Sequence, residues 1–122
     1  MIAKRYRFHG RKSLNAVYKY GLTYYDKDFS IKSLFSKEQK NPRVAVVVSK
    51  KVSKKATQRN KIRRKIYEII RLNIDTIKPP QSLIISVFKE DILKNKPKAL
   101  EKKIVELIKK ANNQEDKNKK TI

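Results

Sequence analysis

The sequence predicts a mixed α/β fold with its elements in the order α-β-β-α-β-α, and one additional strand if residues 24–35 bend. Two apolar, β-branched runs predict strands, RVAVVVS at residues 43–49 and SLIISVF at residues 82–88. Between these runs, isoleucines recur at helical spacing. A strand, a helix and a strand in this order favour a parallel pair joined by a crossover.

The chain is expected to start with a basic arm and a short helix. Residues 1–12 are basic and lack apolar periodicity, so we expect the arm to be flexible or to order only on contact. Ser13 is the predicted N-cap of the first helix, and Gly21 is its predicted stop. One face of this helix carries Leu14, Val17 and Tyr18.

Two strand predictions follow the first helix. Phe29 and Ile31 alternate with polar residues, which predicts a half-buried strand, and the polar segment SKEQKNP after it predicts a turn. The run at residues 43–49 contains too few polar residues for an exposed edge. It therefore predicts a central strand.

Two amphipathic helices complete the predicted core. The first begins near Thr57 or Gln58, and Pro79 and Pro80 end it because proline disfavours helical geometry before it. Its apolar stripe consists of Ile62, Ile66, Ile69, Ile70 and Ile77. The last helix follows Pro97, and its stripe consists of Leu100, Ile104, Leu107, Ile108 and Ala111. We therefore predict one domain over residues 1–112 and a polar, disordered tail over residues 113–122.

Charge indicates the class of partner. The 122 residues include 33 Lys and Arg against 11 Asp and Glu, a formal net charge of +22. Such a charge favours nucleic acid as the partner, with an anionic membrane surface as the second choice. The absence of cysteine excludes disulfides, and no apolar run is long enough to span a bilayer or to form a signal peptide. We expect a cytoplasmic protein without a membrane partner.

Candidates for catalysis are few. His9 is the only histidine and lies in the arm, where it cannot be held as a general base. Asp26 and Asp28 are the one close acidic pair, and a surface pair explains them better than a magnesium site does. The glycines, Gly10 and Gly21, do not form a phosphate-cradling loop. The sequence therefore predicts no catalytic residue and no metal site in the protein itself.

A basic cluster is the strongest candidate for binding. Lys50, Lys51, Lys54 and Lys55 precede a helix whose amino terminus supplies amide donors and a partial positive charge. Arg59, Asn60, Lys61 and Arg63 lie in its first turns, and Asn60 adds a donor and an acceptor. A solvated helix face usually mixes charges, so this one favours phosphate binding. On the N-terminal helix, Leu14 and Val17 share the side of Tyr18, so core packing is the safer interpretation of this residue, with base stacking as the alternative.

The run VVVSKKVSKKATQRNKIRRKIYEIIR closely resembles the signature of the protein subunit of bacterial ribonuclease P. In that signature a strand ending in Ser or Ala, Lys and Lys leads to a helix that opens Arg, Asn, Arg. LNAVYKYG at residues 14–21 resembles the N-terminal helix of the family, and the resemblance covers residues 7–111. It implies an α/β (α+β) two-layer sandwich with a left-handed crossover, against the usual right-handed preference.

The resemblance also implies a function. In this family the RNA subunit cleaves the 5′ leader from precursor transfer RNA with magnesium ions that the RNA mainly holds, and the protein binds both RNAs. No obligate protein partner is implied. The residues that match the RNA-contacting positions are Lys50, Lys51, Lys54, Lys55, Arg59, Asn60, Lys61, Arg63, Arg64 and Tyr67. Those that match a cleft for the single-stranded leader are Lys12, Leu14, Tyr18 and Lys32.

Three residues depart from the family pattern. Lys61 replaces the usual arginine, Tyr67 stands where arginine is common, and Lys32 occupies a position that is often aromatic. Composition alone also allows a ribosomal-type structural protein that binds RNA. A protein-only nuclease is the third possibility, and the lack of clustered acids and histidines counts against it.

Overall fold

Three helices and four strands make up the computed structural model, which describes residues 6–8, 10–35, 39–78, 80–94 and 96–121, with side chains to Asn113. The order α-β-β-β-α-β-α confirms the prediction, including the additional strand, because the chain bends between β1 and β2. In chain order the elements are α1 (Arg11–Tyr20), β1 (Leu22–Tyr25), β2 (Phe29–Phe35), β3 (Arg43–Val48), α2 (Ala56–Leu72), β4 (Gln81–Val87) and α3 (Pro97–Thr121).

The strands form one sheet in the order β1-β2-β4-β3. β3 is parallel to β4, which confirms the predicted parallel pair, and the other two pairs are antiparallel. The prediction that β3 is central is wrong, because β3 is an edge strand. Val44, Val46 and Val48 are buried beneath α2, whereas Val47 is exposed, so the apolar character of the buried valines reflects the helix above them. The left-handed crossover stays a prediction.

One face of the sheet carries the main core. Ile31, Ile85 and Val46 are partners across β2, β4 and β3, so their side chains share this face, and all three are buried. The predicted stripes of α2 and α3 pack against them and are buried in full. Ile77 belongs to the same cluster, although it lies beyond the end of α2.

Helix α1 lies on the opposite face. Lys32 and Ile84 are ladder partners on that face, and the ammonium group of Lys32 reaches the carbonyl oxygen of Tyr18. Val17 and Ile84 are fully buried but lie outside the main core cluster, which indicates a small second core beneath α1. The sheet is therefore covered by α2 and α3 on one face and partly by α1 on the other.

The ends of α1 correct one sequence prediction and refine another. The helix begins at Arg11 after Gly10, whose φ is 90°, so the predicted N-cap at Ser13 is wrong and the last residues of the arm are helical. Gly21 ends the helix as predicted, but in an extended conformation. A Cβ at Gly21 would lie 2.5 Å from the Val17 carbonyl oxygen and 2.8 Å from that of Ser33. Glycine is therefore required for close approach of α1 to β2.

The remaining helices differ from prediction mainly at their ends. α2 ends at Leu72, earlier than the prolines predict, and a short 3-10 helix follows at Ile74–Thr76. The backbone of α3 continues to Thr121, into the segment where the sequence predicts a polar tail. The domain boundary at residue 112 stays a prediction, and residues 1–5 of the arm lie outside the described residues. None of the described helices is long and apolar enough to cross a membrane.

Candidate nucleic-acid interface

The loop between β3 and α2, residues 49–55, carries the predicted basic cluster and is called the basic loop below. It turns at once after β3, where the Val52 amide donates to the Ser49 carbonyl oxygen over 3.1 Å. Ser53 is buried and anchors the middle of the loop. The four lysines are exposed, so the structure brings the positive charges of Lys50, Lys51, Lys54 and Lys55 together on one surface.

Arg59 holds the basic loop in place. Its Nη1 donates to the carbonyl oxygen of Ser53 at 2.8 Å and to that of Lys54 at 3.1 Å. Both bonds join a charged donor to the backbone, which makes them stronger than bonds between neutral groups. Sequence reasoning assigns Arg59 to RNA contact alone and misses this role, because the two acceptors are main-chain atoms without a side-chain signature.

The outward face of α2 continues the positive surface. Asn60, Lys61 and Arg64 are exposed, and the half-buried Arg63 donates from Nη2 to the Asn60 side-chain oxygen. No acidic residue lies in the first turn of the helix. The loop and this face together therefore form one positively charged surface, and the free amide donors at the start of the helix lie beside it.

A second group of predicted residues lies at α1. The Lys32 Nζ donates to the Tyr18 carbonyl oxygen at 2.5 Å and lies 5.9 Å from the centre of the Tyr18 ring. Tyr18 is 44% exposed, so its ring does not belong to the core and the prediction of core packing is wrong. Lys12 is exposed and Leu14 half-buried earlier on the same helix. The structure thus joins Tyr18 to Lys32, whereas Lys12 and Leu14 only share helix α1 with Tyr18.

Three exposed aromatic residues, Tyr20, Tyr25 and Phe88, lie outside the predicted site. Tyr25 is 72% exposed at the end of β1, and Phe88 is 46% exposed just after β4. Both lie near the turn between β1 and β2, where the Phe88 amide donates to the Asp28 carbonyl oxygen. Strand alternation could have found Tyr25, because it follows the half-buried Tyr24 and points to the opposite face.

Comparison with known proteins identifies the family. The family model for ribonuclease P matches residues 2–112. The chain belongs to the ribonuclease P protein family. The ribonuclease P protein component of Finegoldia magna is 36% identical over 112 residues, covering 90% of this chain and 94% of that protein. The component from Prochlorococcus marinus strain AS9601 is 34% identical over 113 residues, which cover 82% of this chain and 88% of that protein.

Solved structures of ribonuclease P proteins share the fold. A mutant of the Staphylococcus aureus protein has a TM-score of 0.76 at 24% identity, covering 88% of this chain and 89% of that one. The Thermotoga maritima protein has a TM-score of 0.75 at 24% identity, and the match covers 85% of this chain and 96% of that one. The chain is a protein component of ribonuclease P, an endoribonuclease of transfer RNA processing.

Tyr67, which departs from the ribonuclease P signature, has two kinds of contact. Its hydroxyl oxygen accepts a hydrogen bond of 3.1 Å from the Val46 amide on the edge strand β3, and its ring packs against the main core. Its remaining surface lines a shallow pocket of about 400 Å³ with Asn60, Arg63 and Arg64. This pocket, called the α2 pocket below, brings together four of the predicted RNA-contacting residues.

The acidic residue nearest to the α2 pocket in sequence is Glu68, and Arg71 pairs with it. Arg71 Nη2 donates to Glu68 Oε1 at 2.5 Å, and Arg71 Nε donates to Oε2 at 3.1 Å. This hydrogen-bonded pair lowers the pKa of the Glu68 carboxyl and raises the pKa of the Arg71 guanidinium. Within the described residues, Arg64 has no ion pair. Its charge is therefore available to an external anion.

The acids of the described residues do not form a metal site, and the absence of a catalytic residue stays a prediction. Asp28 is buried, so the predicted surface pair with Asp26 is wrong. Asp26 accepts a hydrogen bond from the Lys27 amide, which makes it a turn residue. His9 lies outside the described residues. No group of three or more acidic, histidine or cysteine side chains that could hold a metal ion is found among the residues described.

Proposed function

We propose that this chain is the RNA-binding subunit of ribonuclease P, and that the basic loop and the outward face of α2 bind the catalytic RNA. The observation that carries the proposal is the positively charged surface that the loop lysines form with the exposed residues from Asn60 to Arg64. Arg59 holds the loop beside the helix start, so these cations are placed before RNA arrives. A prepared surface loses less conformational entropy on binding.

The proposal extends to the precursor transfer RNA. Its single-stranded 5′ leader would lie beside α1, on the face of the sheet that carries Lys32 and Ile84. Tyr18 offers an exposed ring there, and Lys32 and Lys12 offer positive charge. A ring combined with cations suits an unpaired strand, because bases stack on the ring while the backbone is neutralised. Since Lys32 already bonds the Tyr18 carbonyl oxygen, its charge is fixed at one end of this path.

The proposed division of labour leaves the chemistry to the RNA. Hydrolysis of a phosphodiester with magnesium needs several oxygen ligands at one point, and the acids of the described residues do not converge in this way. We therefore assign no step of the reaction to a side chain. The protein neutralises phosphates, which supports assembly when magnesium is scarce, and magnesium itself would be held mainly by the RNA.

Reconstitution tests the proposal. The purified protein alone should leave precursor transfer RNA intact, and its addition to the ribonuclease P RNA at low magnesium should restore removal of the leader. Failure to stimulate, or cleavage by the protein without RNA, would overturn the proposal. Affinity should also fall by about three to five decades between 50 and 200 mM salt if six to ten phosphates are neutralised. Sedimentation with ribosomes in place of a short stable RNA would favour the ribosomal-type alternative.

The proposal places the complex in the cytoplasm, without a membrane or an obligate protein partner. The chain contains no cysteine, and its positive charge suits RNA. Fractionation of cells should recover the protein with the ribonuclease P RNA in the soluble fraction. Recovery with membranes after salt washing would contradict this part of the proposal.

A further inference from the structure

The α2 pocket combines an aromatic wall with two guanidinium groups. We propose that it binds one unpaired nucleotide of RNA, with the base against the Tyr67 ring and the phosphate at Arg64. This inference rests on the proposed function, and it adds a specific contact to a surface that is otherwise explained by charge alone.

The size of the pocket suits a nucleotide. Its volume is about 400 Å³, and pockets for small ligands span about 300–1,000 Å³. A phosphate group alone would leave most of this space to water. A base with its sugar and one phosphate would instead reach both kinds of lining residue, the ring of Tyr67 and the guanidinium groups of Arg63 and Arg64.

The ring of Tyr67 is fixed before any ligand binds. Its hydroxyl oxygen accepts a hydrogen bond from the Val46 amide, and the residue packs against the core, so the fold holds the ring in position. A base that packs on it therefore costs little side-chain entropy. Stacking of a base on a protein aromatic ring changes affinity by about one to two orders of magnitude when the ring is removed.

The charges around the pocket are arranged for an anion. Asn60 accepts a hydrogen bond from Arg63, and both residues line the pocket together with Tyr67. Arg64 lies one helical turn before Glu68, a spacing at which the two could pair. Arg71 instead binds both oxygens of Glu68, so the carboxylate does not neutralise Arg64. The four residues that line the pocket include no acid.

A pocket for a nucleotide differs from a contact with the backbone of duplex RNA in one testable respect. Duplex phosphates would use the arginines and leave the ring without a role, because bases inside a duplex are already stacked. The nucleotide pocket requires the ring and the arginines together. The two cases are separated by comparing ligands that share a phosphate and differ in the base.

The experiment titrates the full-length protein with adenosine 5′-monophosphate and with ribose 5-phosphate. NMR follows the signals of the Tyr67 ring and of the arginine guanidinium groups. Adenosine monophosphate should bind at least tenfold more tightly, and its base protons should shift upfield from the Tyr67 ring current. Tyr67→Leu should abolish this preference, Tyr67→Phe should keep it, and Arg64→Ala should weaken both ligands. Equal affinity for the two ligands, or an unchanged preference in Tyr67→Leu, would overturn the inference.

Two controls make the outcome specific. Amide spectra of Tyr67→Leu must match those of the native protein away from α2 and β3, and Tyr67→Phe supplies the test of the ring if they do not. Stimulation of the ribonuclease P RNA is measured on the same preparations. Stimulation without a base preference would refute the pocket and leave the proposed function standing, whereas loss of stimulation by the native protein would refute the function.

Discussion

The carboxylate of Glu68 is bonded at both oxygens by Arg71, three residues later on the exposed face of α2. The pair is solvent-exposed, and such pairs contribute little to stability. The pair also directs the acid away from Arg64. The positive charge of the proposed RNA-binding surface would therefore depend on a pair that does not line the α2 pocket.

Replacement of Arg71 tests this dependence. In Arg71→Ala, Glu68 should pair with Arg64, and affinity for the ribonuclease P RNA should fall about three- to tenfold at low salt, as expected for the loss of one to two phosphate contacts. Adding Glu68→Gln to Arg71→Ala should restore most of the loss. Lys102→Ala on α3 is the matched control for the removal of one exposed charge. If the double variant binds no better than Arg71→Ala, the pair has no such role.

The same pair predicts a pH dependence. The hydrogen bond from Arg71 lowers the pKa of Glu68 below its ordinary value of 4.5, so the carboxylate stays ionised to lower pH in the folded protein than in the unfolded chain. Its stabilising effect is thus complete above pH 4.5 and is lost as the pH falls through the folded pKa. NMR titration should give a midpoint below 4.5 that rises when Arg71 and Arg64 are both replaced by alanine, because Arg64 would otherwise take the place of Arg71 beside Glu68. An unchanged midpoint would contradict the assignment.

Arg59 should act through the loop. Arg59→Ala removes both bonds to the loop backbone, and we expect faster hydrogen exchange at the Val52 amide and a loss of RNA affinity of at least tenfold. Arg64→Ala is the contrasting variant, because it should lower RNA affinity without changing exchange in the loop. Equal exchange in both variants would show that Arg59 does not hold the loop.

Gly21→Ala should separate α1 from the sheet. The new Cβ would meet two backbone oxygens at 2.5 and 2.8 Å, so α1 must shift, at a cost of about 1–3 kcal/mol. Urea unfolding measures this cost. Gly10→Ala is the control, because no atom lies within 4 Å of its Cβ and only the positive φ is penalised, by about 1–2 kcal/mol. A loss below about 1 kcal/mol in Gly21→Ala would contradict close approach as the reason for Gly21.

Lys32→Met should affect the leader selectively. The variant keeps an unbranched apolar stem but loses the bond to the Tyr18 carbonyl oxygen and the charge near its ring. Affinity for precursor transfer RNA, measured with the assembled enzyme, should fall about three- to tenfold. Affinity for mature transfer RNA, which lacks the leader, should stay the same. A parallel loss for both RNAs would place Lys32 outside the leader path.

The sequence predicts those features of this molecule that depend on a regular spacing of apolar residues or on a local excess of charged side chains. The isoleucine stripe of α2 and the apolar stripe of α3 are visible because helical spacing places them on one face, and all of their members are buried. The basic loop is visible because charge accumulates locally. The order of elements follows from these patterns, and the family signature adds the assignment of function.

Other features escape the sequence because they depend on distant backbone atoms. β3 resembles a central strand in composition, and only the position of α2 above it explains its buried valines at an edge. The acceptors of Arg59 and the donor to Tyr67 are main-chain groups, which every residue carries. The same holds for Gly21, where the reason for glycine is the approach of two carbonyl oxygens from separate elements.

The bond between the Tyr67 hydroxyl and the Val46 amide also concerns self-association. β3 is an apolar edge strand, and the unpaired backbone groups of such a strand can template strands from other chains. The hydroxyl occupies one of the donors that an incoming strand would need, and α2 covers the buried face of β3. Tyr67 therefore lines the α2 pocket and also leaves one fewer free backbone donor at this edge of the sheet.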